Sequence, residues 1–302
     1  MSARPRRARA VRSLAAARPA LERLYEKFDD ASSATDPVHL VRRYRADADR
    51  EVAGFCAAAL AFGRVASVLG SIEALLAVMG PSPASYLRTF DPRRHRQALQ
   101  PLRHRWTSGD DLVELLRILR QMLVTAGSIE RFFLAGYRRD ADDVGDALNS
   151  FCARALALSG QTCRPGVGYF FPRPAAGSAC KRLNLYLRWM VRRDHIDFGI
   201  WRHVSTAKLV VPLDTHVIRV SQCLGLTSYR SPGWAMARQI TASLRQIDPD
   251  DPVKYDFSLC HIGMHEACGF SRPQRDARCP LRGVCRPGPR RPAASRRSSD
   301  RR

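Results

Sequence analysis

The feature that most constrains the fold of this 302-residue chain is the stretch 209–226, LVVPLDTHVIRVSQCLGL. A short apolar run and a proline lead to Asp214, and a new pattern begins after it. Apolar residues then recur at helical spacing, at Val217, Val220 and Leu224. Gly225 follows where such a helix should end, because glycine adopts the left-handed C-terminal conformation without steric cost. The pattern therefore predicts a helix that begins after Asp214 and ends before Gly225.

Two interpretations of Asp214 follow from this position. The first is an ordinary N-cap, which accepts hydrogen bonds from the first turn and contributes about 1 kcal/mol. The second is a functional carboxylate, placed at the positive end of a helix and facing a cleft. Position alone favours the N-cap.

The remainder of the chain predicts an all-α protein. Helical periodicity recurs throughout, including a nearly all-apolar helix over 47–62 and a second helix over 65–79, and no strand pattern of convincing length is present. Residues 1–19 and 286–302 are basic and of low complexity, and we expect both to be disordered. The expected folded unit is a helical domain over 20–285.

Charge and hydropathy indicate which kind of binding partner and which cell compartment to expect. The net charge is +22. Residues 1–20 hold six Arg and no acid, and residues 286–302 hold seven Arg and one Asp, which leaves +10 on the body. A basic body with basic tails is typical of a protein that binds a polyanion such as DNA. No apolar run approaches the ~20 residues of a membrane helix, and no apolar segment follows the basic N-terminus as in a secretory signal. We expect a cytoplasmic monomer associated with the nucleoid and not with a membrane.

The central stretch resembles the signature of the helix-hairpin-helix superfamily of DNA glycosylases, in which an Asp-Thr-His or similar triplet supplies the catalytic aspartate. Over a longer range the chain resembles a bacterial family known as domain of unknown function 2400. This family is a distant branch that itself resembles the helix-hairpin-helix superfamily. The supporting segments are LYEKF (24–28), DREVAGFCAAALAFGRV (49–65), SACKRLNLYLRWMVR (178–192) and DPVKYDFSLCHIG (251–263). The resemblance implies a two-lobed helical fold with a cleft, and Asp214 as the catalytic aspartate.

The resemblance also implies a catalytic lysine. A helix is predicted over 178–192, with Ser178 as its N-cap and Lys181 in its first turn. A helix N-terminus disfavours a cation, which suits a lysine that must act as an unprotonated nucleophile. Lys181 precedes Asp214 by 33 residues, a wide spacing that is similar to an archaeal 8-oxoguanine glycosylase branch. Lys208 is the competing nucleophile, and a phosphate-contacting or surface lysine is the alternative for Lys181.

Further residues are candidates for DNA contact. Arg64 lies at a junction of two helices that would line the cleft, and Lys208 and Arg219 flank Asp214; each is expected to hold a phosphate or to be a solvated surface residue. Gly166 and Gly168 are similar to the phosphate-binding hairpin glycines of the superfamily, although an aromatic run replaces the lysine that usually follows. Tyr169 and Phe170 in that run are predicted either to stack on a base or to fill the core. A basic run over 91–106 ends at Trp106 and offers a second phosphate-binding segment or a solvated face.

Four cysteines near the C-terminus are candidate metal ligands: Cys260, Cys268, Cys279 and Cys285. The last spacing resembles the iron–sulfur loop of some glycosylases, but Asp276 stands where one cysteine is expected. A [4Fe–4S] cluster, a zinc site and free thiols remain open.

The function that the sequence predicts is a DNA N-glycosylase and abasic-site lyase acting on damaged double-stranded DNA. The alternative is a nucleic-acid-binding module that has the same fold without the chemistry.

Overall fold

The computed structural model describes residues 14–28, 34–159, 164–264, 279–282 and 284–285. These residues are mostly helical, which confirms the all-α class. The helices are α1 (Arg18–Lys27), α2 (Pro37–Arg42), α3 (Asp47–Leu60), α4 (Val65–Met79), α5 (Pro83–Arg88), α6 (Pro92–Leu99), α7 (Gly109–Ala126), α8 (Ile129–Leu134), α9 (Gly145–Ala157), α10 (Pro165–Gly168), α11 (Lys181–Val191), α12 (Thr215–Leu224), α13 (Trp234–Arg245) and α14 (Asp256–Met264). Short 3₁₀ turns lie at Leu14–Ala17, Pro174–Ala176 and Thr206–Lys208.

A small β-hairpin stands between α6 and α7. Strand β1 (Arg103–His104) pairs antiparallel with β2 (Thr107–Ser108), and Arg105 in the turn has a left-handed φ of 54°. The sequence analysis predicted no strand. Two-residue strands are too short to show the period-2 alternation by which strands are recognised.

The core is organised around α3 and α11, which pack against each other. Their close approach depends on Gly54 of α3, because a Cβ at this position would lie 2.7 Å from the Met190 Cε of α11. Beside this crossing, the fully buried ring of Phe55 contacts the rings of Phe151, Phe171 and Tyr186. The small residues of α3 therefore allow α11, which carries Lys181, to lie against the centre of the protein.

Two helices differ at one end from the prediction: α3 ends at Leu60 and not at residue 62, and α11 begins later than predicted. Helices α4 and α12 have the predicted bounds. Helix α11 begins at Lys181 and not at Ser178: Cys180 occupies the N-cap position with φ 48°, and the Ser178 hydroxyl accepts from the Cys180 N–H at 3.2 Å instead. At the N-terminus, the described residues begin with the 3₁₀ turn Leu14–Ala17, and the predicted disorder of residues 1–19 stays a prediction.

A network of buried ion pairs anchors the C-terminal end of α11. The Arg188 guanidinium donates to Asp197 at 3.2 Å and to Asp256 of α14 at 2.6 Å. One turn later, Arg192 donates to Asp194 at 2.9 Å, to Asp251 at 2.9 Å and to Asp197. Burial of unpaired charges would be costly, so these contacts fix α11 relative to α14 and to the loop that follows α11.

Candidate functional site

A cavity of about 500 Å³ lies between the N-terminal helices and the C-terminal helices of the described chain. Its wall includes Lys181 at the start of α11 and Asp214 at the start of α12. The structure therefore brings together the two residues that the sequence analysis named as catalytic, although 33 residues separate them. Other residues in its wall are Asp36, Phe62, Gly63, Arg188, His216, Asp256 and Cys260.

Both oxygens of Asp214 are hydrogen-bonded. Oδ1 accepts from the N–H groups of His216 at 2.8 Å and Val217 at 2.7 Å, which is the N-cap geometry predicted from the sequence. Oδ2 accepts from the Cys260 thiol, with Sγ at 2.9 Å. Since each carboxylate oxygen has two lone pairs, Oδ2 keeps capacity for a further donor from the cavity.

Cys260 acts in this arrangement as a hydrogen-bond donor. Burial raises the pKa of its thiol well above the ordinary value, and the negative charge of Asp214 raises this pKa further. The proton therefore stays on sulfur and points to the carboxylate. The thiol thus holds Oδ2, the oxygen that does not cap the helix.

Lys181 reaches the cavity without a carboxylate partner among the described residues. The hydrogen bond that it makes within the described part of the chain is a long one, from Nζ to the Ala61 carbonyl oxygen at 3.5 Å. Ala61 lies just after α3 and also lines the cavity. An amine that is half-buried beside a cavity and held only by a weak carbonyl contact is free to meet a substrate atom.

The inner wall of the cavity contains a second carboxylate, Asp256. Burial raises the pKa of Asp256 to about 7, although the neighbouring Arg188 guanidinium opposes this shift; the charge of Asp214 also raises it. The Oδ1 atom of Asp256 and the Nη2 atom of Arg188 are both buried without a hydrogen-bond partner in the structure. The sequence analysis did not select Asp256. Its four-residue separation from Cys260, which puts both on one side of α14, is the signal that would have indicated it.

An aromatic cluster, which we call the aromatic rim, continues from the cavity wall to the surface. It consists of Phe62, Trp106 and Tyr169, whose ring centroids lie 5.0–5.2 Å apart. Trp106 is 54% exposed and Tyr169 is 38% exposed. Beneath them Arg182 lies 3.9 Å from the Tyr169 ring centroid, and it donates to the carbonyls of Ala59 and Tyr169.

The remaining predicted contacts are distributed differently. Arg64 is exposed at the N-cap of α4, beside the cavity residue Gly63, and Arg219 is exposed on α12. Lys208 does not line the cavity; its amine donates to the carbonyls of Arg138 and Arg139. Phe170 is 1% exposed and belongs to the core, so only Tyr169 of this pair presents a ring at the surface.

The glycines compared with a phosphate-binding hairpin lie in the four-residue helix α10. A Cβ on Gly166 would lie 2.6 Å from the Asp111 carboxylate, so glycine at this position permits a close approach to an acid. Asp111 is in turn paired with Arg164 at 3.0 Å. The structure thus gives Gly166 a packing role against α7.

Three of the four predicted metal ligands, Cys260, Cys279 and Cys285, lie in the part of the chain that the structure describes. Cys268 lies outside the described residues. Cys260 is committed to Asp214, and a carboxylate beside a buried thiol opposes the thiolate that a metal requires. Among the described residues, no group of three or more His, Cys, Asp or Glu side chains is arranged to hold a metal ion. The assignment of these four cysteines as metal ligands therefore stays a prediction.

The fold and the site define a helical protein whose cavity presents a lysine and a capped aspartate. Residues 36–265, more than half of the chain, match the family described as "Protein of unknown function (DUF2400)", and the chain belongs to that family. Comparison with curated proteins and with solved structures gave no match. Within the described residues no helix has the length and apolar character needed to cross a membrane.

Proposed function

We propose that this protein is a DNA N-glycosylase with abasic-site lyase activity, of the helix-hairpin-helix type. The observation that carries the proposal is the meeting of Lys181 and Asp214 in one cavity of about 500 Å³. A space of this size is within the range of small-molecule sites and accommodates a nucleobase turned out of a duplex.

The chemistry follows from the two residues. With the base flipped into the cavity, the unprotonated Lys181 amine forms a bond to the sugar C1′ atom while the C1′–N bond to the base breaks. The base leaves with the bonding electron pair and takes up a proton. Opening of the sugar ring then gives a Schiff base between Lys181 and C1′, and elimination of the 3′ phosphate cleaves the strand.

Asp214 supports this step electrostatically. Positive charge develops on the sugar as the base departs, and a fixed carboxylate stabilises it more than mobile water does. The N–H groups of α12 and the Cys260 thiol hold the carboxylate in place before the reaction begins. Such a fixed anion needs no rearrangement during the reaction.

Cations near the cavity favour a nucleic acid as the substrate. Arg64 and Arg105 are exposed, and within the described residues neither is paired with a carboxylate. Arg105 is also close to Gly63 of the cavity wall, because a Cβ on Gly63 would lie 3.2 Å from the Arg105 Cδ. Unpaired arginines at the edge of a cavity are suited to phosphate contact.

One observation favours the alternative, a nucleic-acid-binding module without chemistry. The Asp214 carboxylate already caps a helix and accepts from a thiol, which are the contacts of a purely structural aspartate. An assay of binding and cleavage distinguishes the enzyme from the binding module. Its substrates are duplexes with an abasic site, uracil, 8-oxoguanine or an oxidised pyrimidine.

The enzyme is expected to cleave at least one duplex, and Lys181→Gln and Asp214→Asn are expected to abolish cleavage while duplex affinity stays unchanged. Lys208→Gln is the matched control, since this lysine lies outside the cavity, and it should retain cleavage. Tight binding without cleavage of any duplex by the wild type would support the binding module instead.

A further inference from the structure

A second groove lies beside the aromatic rim, on the protein surface. It is lined by Trp106, Tyr169, Arg164 and Asp111, among others, and its volume is about 710 Å³. The candidate cavity does not include Trp106 or Tyr169, but Phe62 contacts both rings and lines that cavity. The groove and the cavity are thus neighbouring, separate spaces joined by one aromatic side chain.

The exposed tryptophan of this groove is held in place by its own hairpin. Trp106 stands in the turn between β1 and β2, next to Arg105 with its left-handed backbone. Such a conformation is unfavourable for a residue with a side chain and persists where the surroundings fix it. The ring remains 54% exposed despite its contacts with Phe62, Tyr169 and Arg105. The exposed part of this ring, which the described residues leave uncovered, offers a stacking surface to a ligand.

A cation lies next to the groove, beside the Trp106 ring. The Arg105 guanidinium lies 5.2 Å from the centroid of the Trp106 ring, and no carboxylate in the described chain pairs with it. The acids beside the groove are already paired, Asp111 with Arg164 at 3.0 Å and Asp110 with Arg96 at 2.9 Å. An aromatic face flanked by an available cation matches a nucleotide, which carries a planar base and a phosphate.

We infer that this groove binds an unpaired nucleotide of single-stranded DNA, with its base stacked on Trp106 and its phosphate held by Arg105. The base has to be unpaired, because a base inside a duplex offers no free face to a surface ring. The choice of DNA rests on the proposed function. The protein would therefore engage a strand that is open next to the nucleotide in the cavity.

The test is the intrinsic fluorescence of the full-length protein during titration with undamaged oligothymidylate. The chain has four tryptophans; Trp189 and Trp201 are buried and Trp234 is partly buried, so quenching by a stacked base reports on Trp106. Affinity is measured in parallel by the anisotropy of a labelled strand. The expected results are quenching by the oligothymidylate and a roughly tenfold to hundredfold weaker affinity for Trp106→Ala.

Two variants complete the design. Trp234 lies outside the groove, so Trp234→Phe should bind the strand as the wild type does. Arg105→Ala should weaken binding and reduce the salt dependence of the affinity. Absence of quenching, equal affinity of Trp106→Ala and wild type, or a preference for duplex or for RNA of the same sequence would overturn the inference. Because the strand is undamaged and no chemistry is measured, this result is independent of whether the protein cleaves DNA.

Discussion

The two ends of α11 hold their cations in opposite ways. At the C-terminal end, Arg188 and Arg192 are buried and surrounded by carboxylates. At the N-terminal end, the polar contacts that Lys181 and Arg182 make with the described residues go to carbonyl oxygens and aromatic rings. One helix thus carries a structural anchor at one end and a cationic site beside the cavity at the other.

The difference separates cations that stabilise the fold from cations that are available to a ligand. A guanidinium paired with buried carboxylates has its charge neutralised inside the protein. A cation that meets only carbonyls keeps its net charge for an anionic partner. On this basis the C-terminal end of α11 should tolerate substitution poorly, whereas changes at the N-terminal end should affect function more than folding.

The largest effect on stability is expected for Arg188→Ala. This change leaves Asp256 buried without its cation and Asp197 paired with Arg192 alone, and it should lower the free energy of unfolding by about 3–5 kcal/mol. Urea unfolding of the variant measures this loss. Arg193→Ala, at an exposed position two residues beyond α11, is the control and should change stability by no more than about 0.5 kcal/mol. Equal stability of the two variants would show that the buried network is not an anchor.

A smaller effect is expected at Asp214. Asp214→Ala removes the acceptor for two N–H groups of α12 and should cost about 1–2 kcal/mol. Asp214→Asn should cost less, because asparagine caps a helix nearly as well as aspartate. Thermal unfolding of both variants makes the comparison, and a larger loss for Asn than for Ala would contradict the capping role.

The pH dependence of stability should report Asp256. Its folded-state pKa is raised from 3.8 to about 7, mainly by burial, so the folded protein keeps a proton that the unfolded chain has lost. Stability from this group is therefore present at acid pH and is lost as pH rises through 7. Relative to Asp256→Asn, the wild type should lose about 1 kcal/mol or more between pH of about 4 and about 8. A pH-independent difference between the two proteins would show that Asp256 does not titrate in this range.

The smallest effect on stability is expected for Lys181→Gln. The amine makes one long hydrogen bond, so the free energy of unfolding should change by no more than about 0.5 kcal/mol. Chemical denaturation of the variant tests this expectation. A loss comparable to that of Arg188→Ala would mean that Lys181 belongs to the structural part of the helix.

The sequence was most informative where local chemistry decides the structure. Asp214 caps the start of α12, and Gly225 ends the helix in a left-handed conformation. Both residue types can be recognised as helix ends from the sequence alone. Ser178 carried a similar mark, but the buried Cys180 side chain and the contact of α11 with α3 place the helix start three residues later. Long-range packing, not local preference, decided that boundary.

The cavity was predictable only in part. Lys181 and Asp214 were named through a family resemblance, and their meeting in one cavity depends on how α11 packs against α3. Phe170 and Tyr169 are adjacent in sequence, yet Phe170 is buried and Tyr169 is exposed. The sequence of the aromatic run does not show which of the two rings would be buried. The contact between Cys260 and Asp214 joins residues 46 apart and has no local signal.

The central claim is that Lys181 is the nucleophile in a cavity shared with Asp214. The most direct measurement is borohydride trapping of the wild type on an abasic duplex, followed by peptide mapping of the adduct. The chain has only four lysines, at 27, 181, 208 and 254, so the map assigns the attachment site unambiguously. If Lys181 is the nucleophile, the map should show a DNA remnant on Lys181 alone, and Lys181→Gln should give no adduct. An adduct on Lys208, or an undiminished adduct in Lys181→Gln, would contradict it.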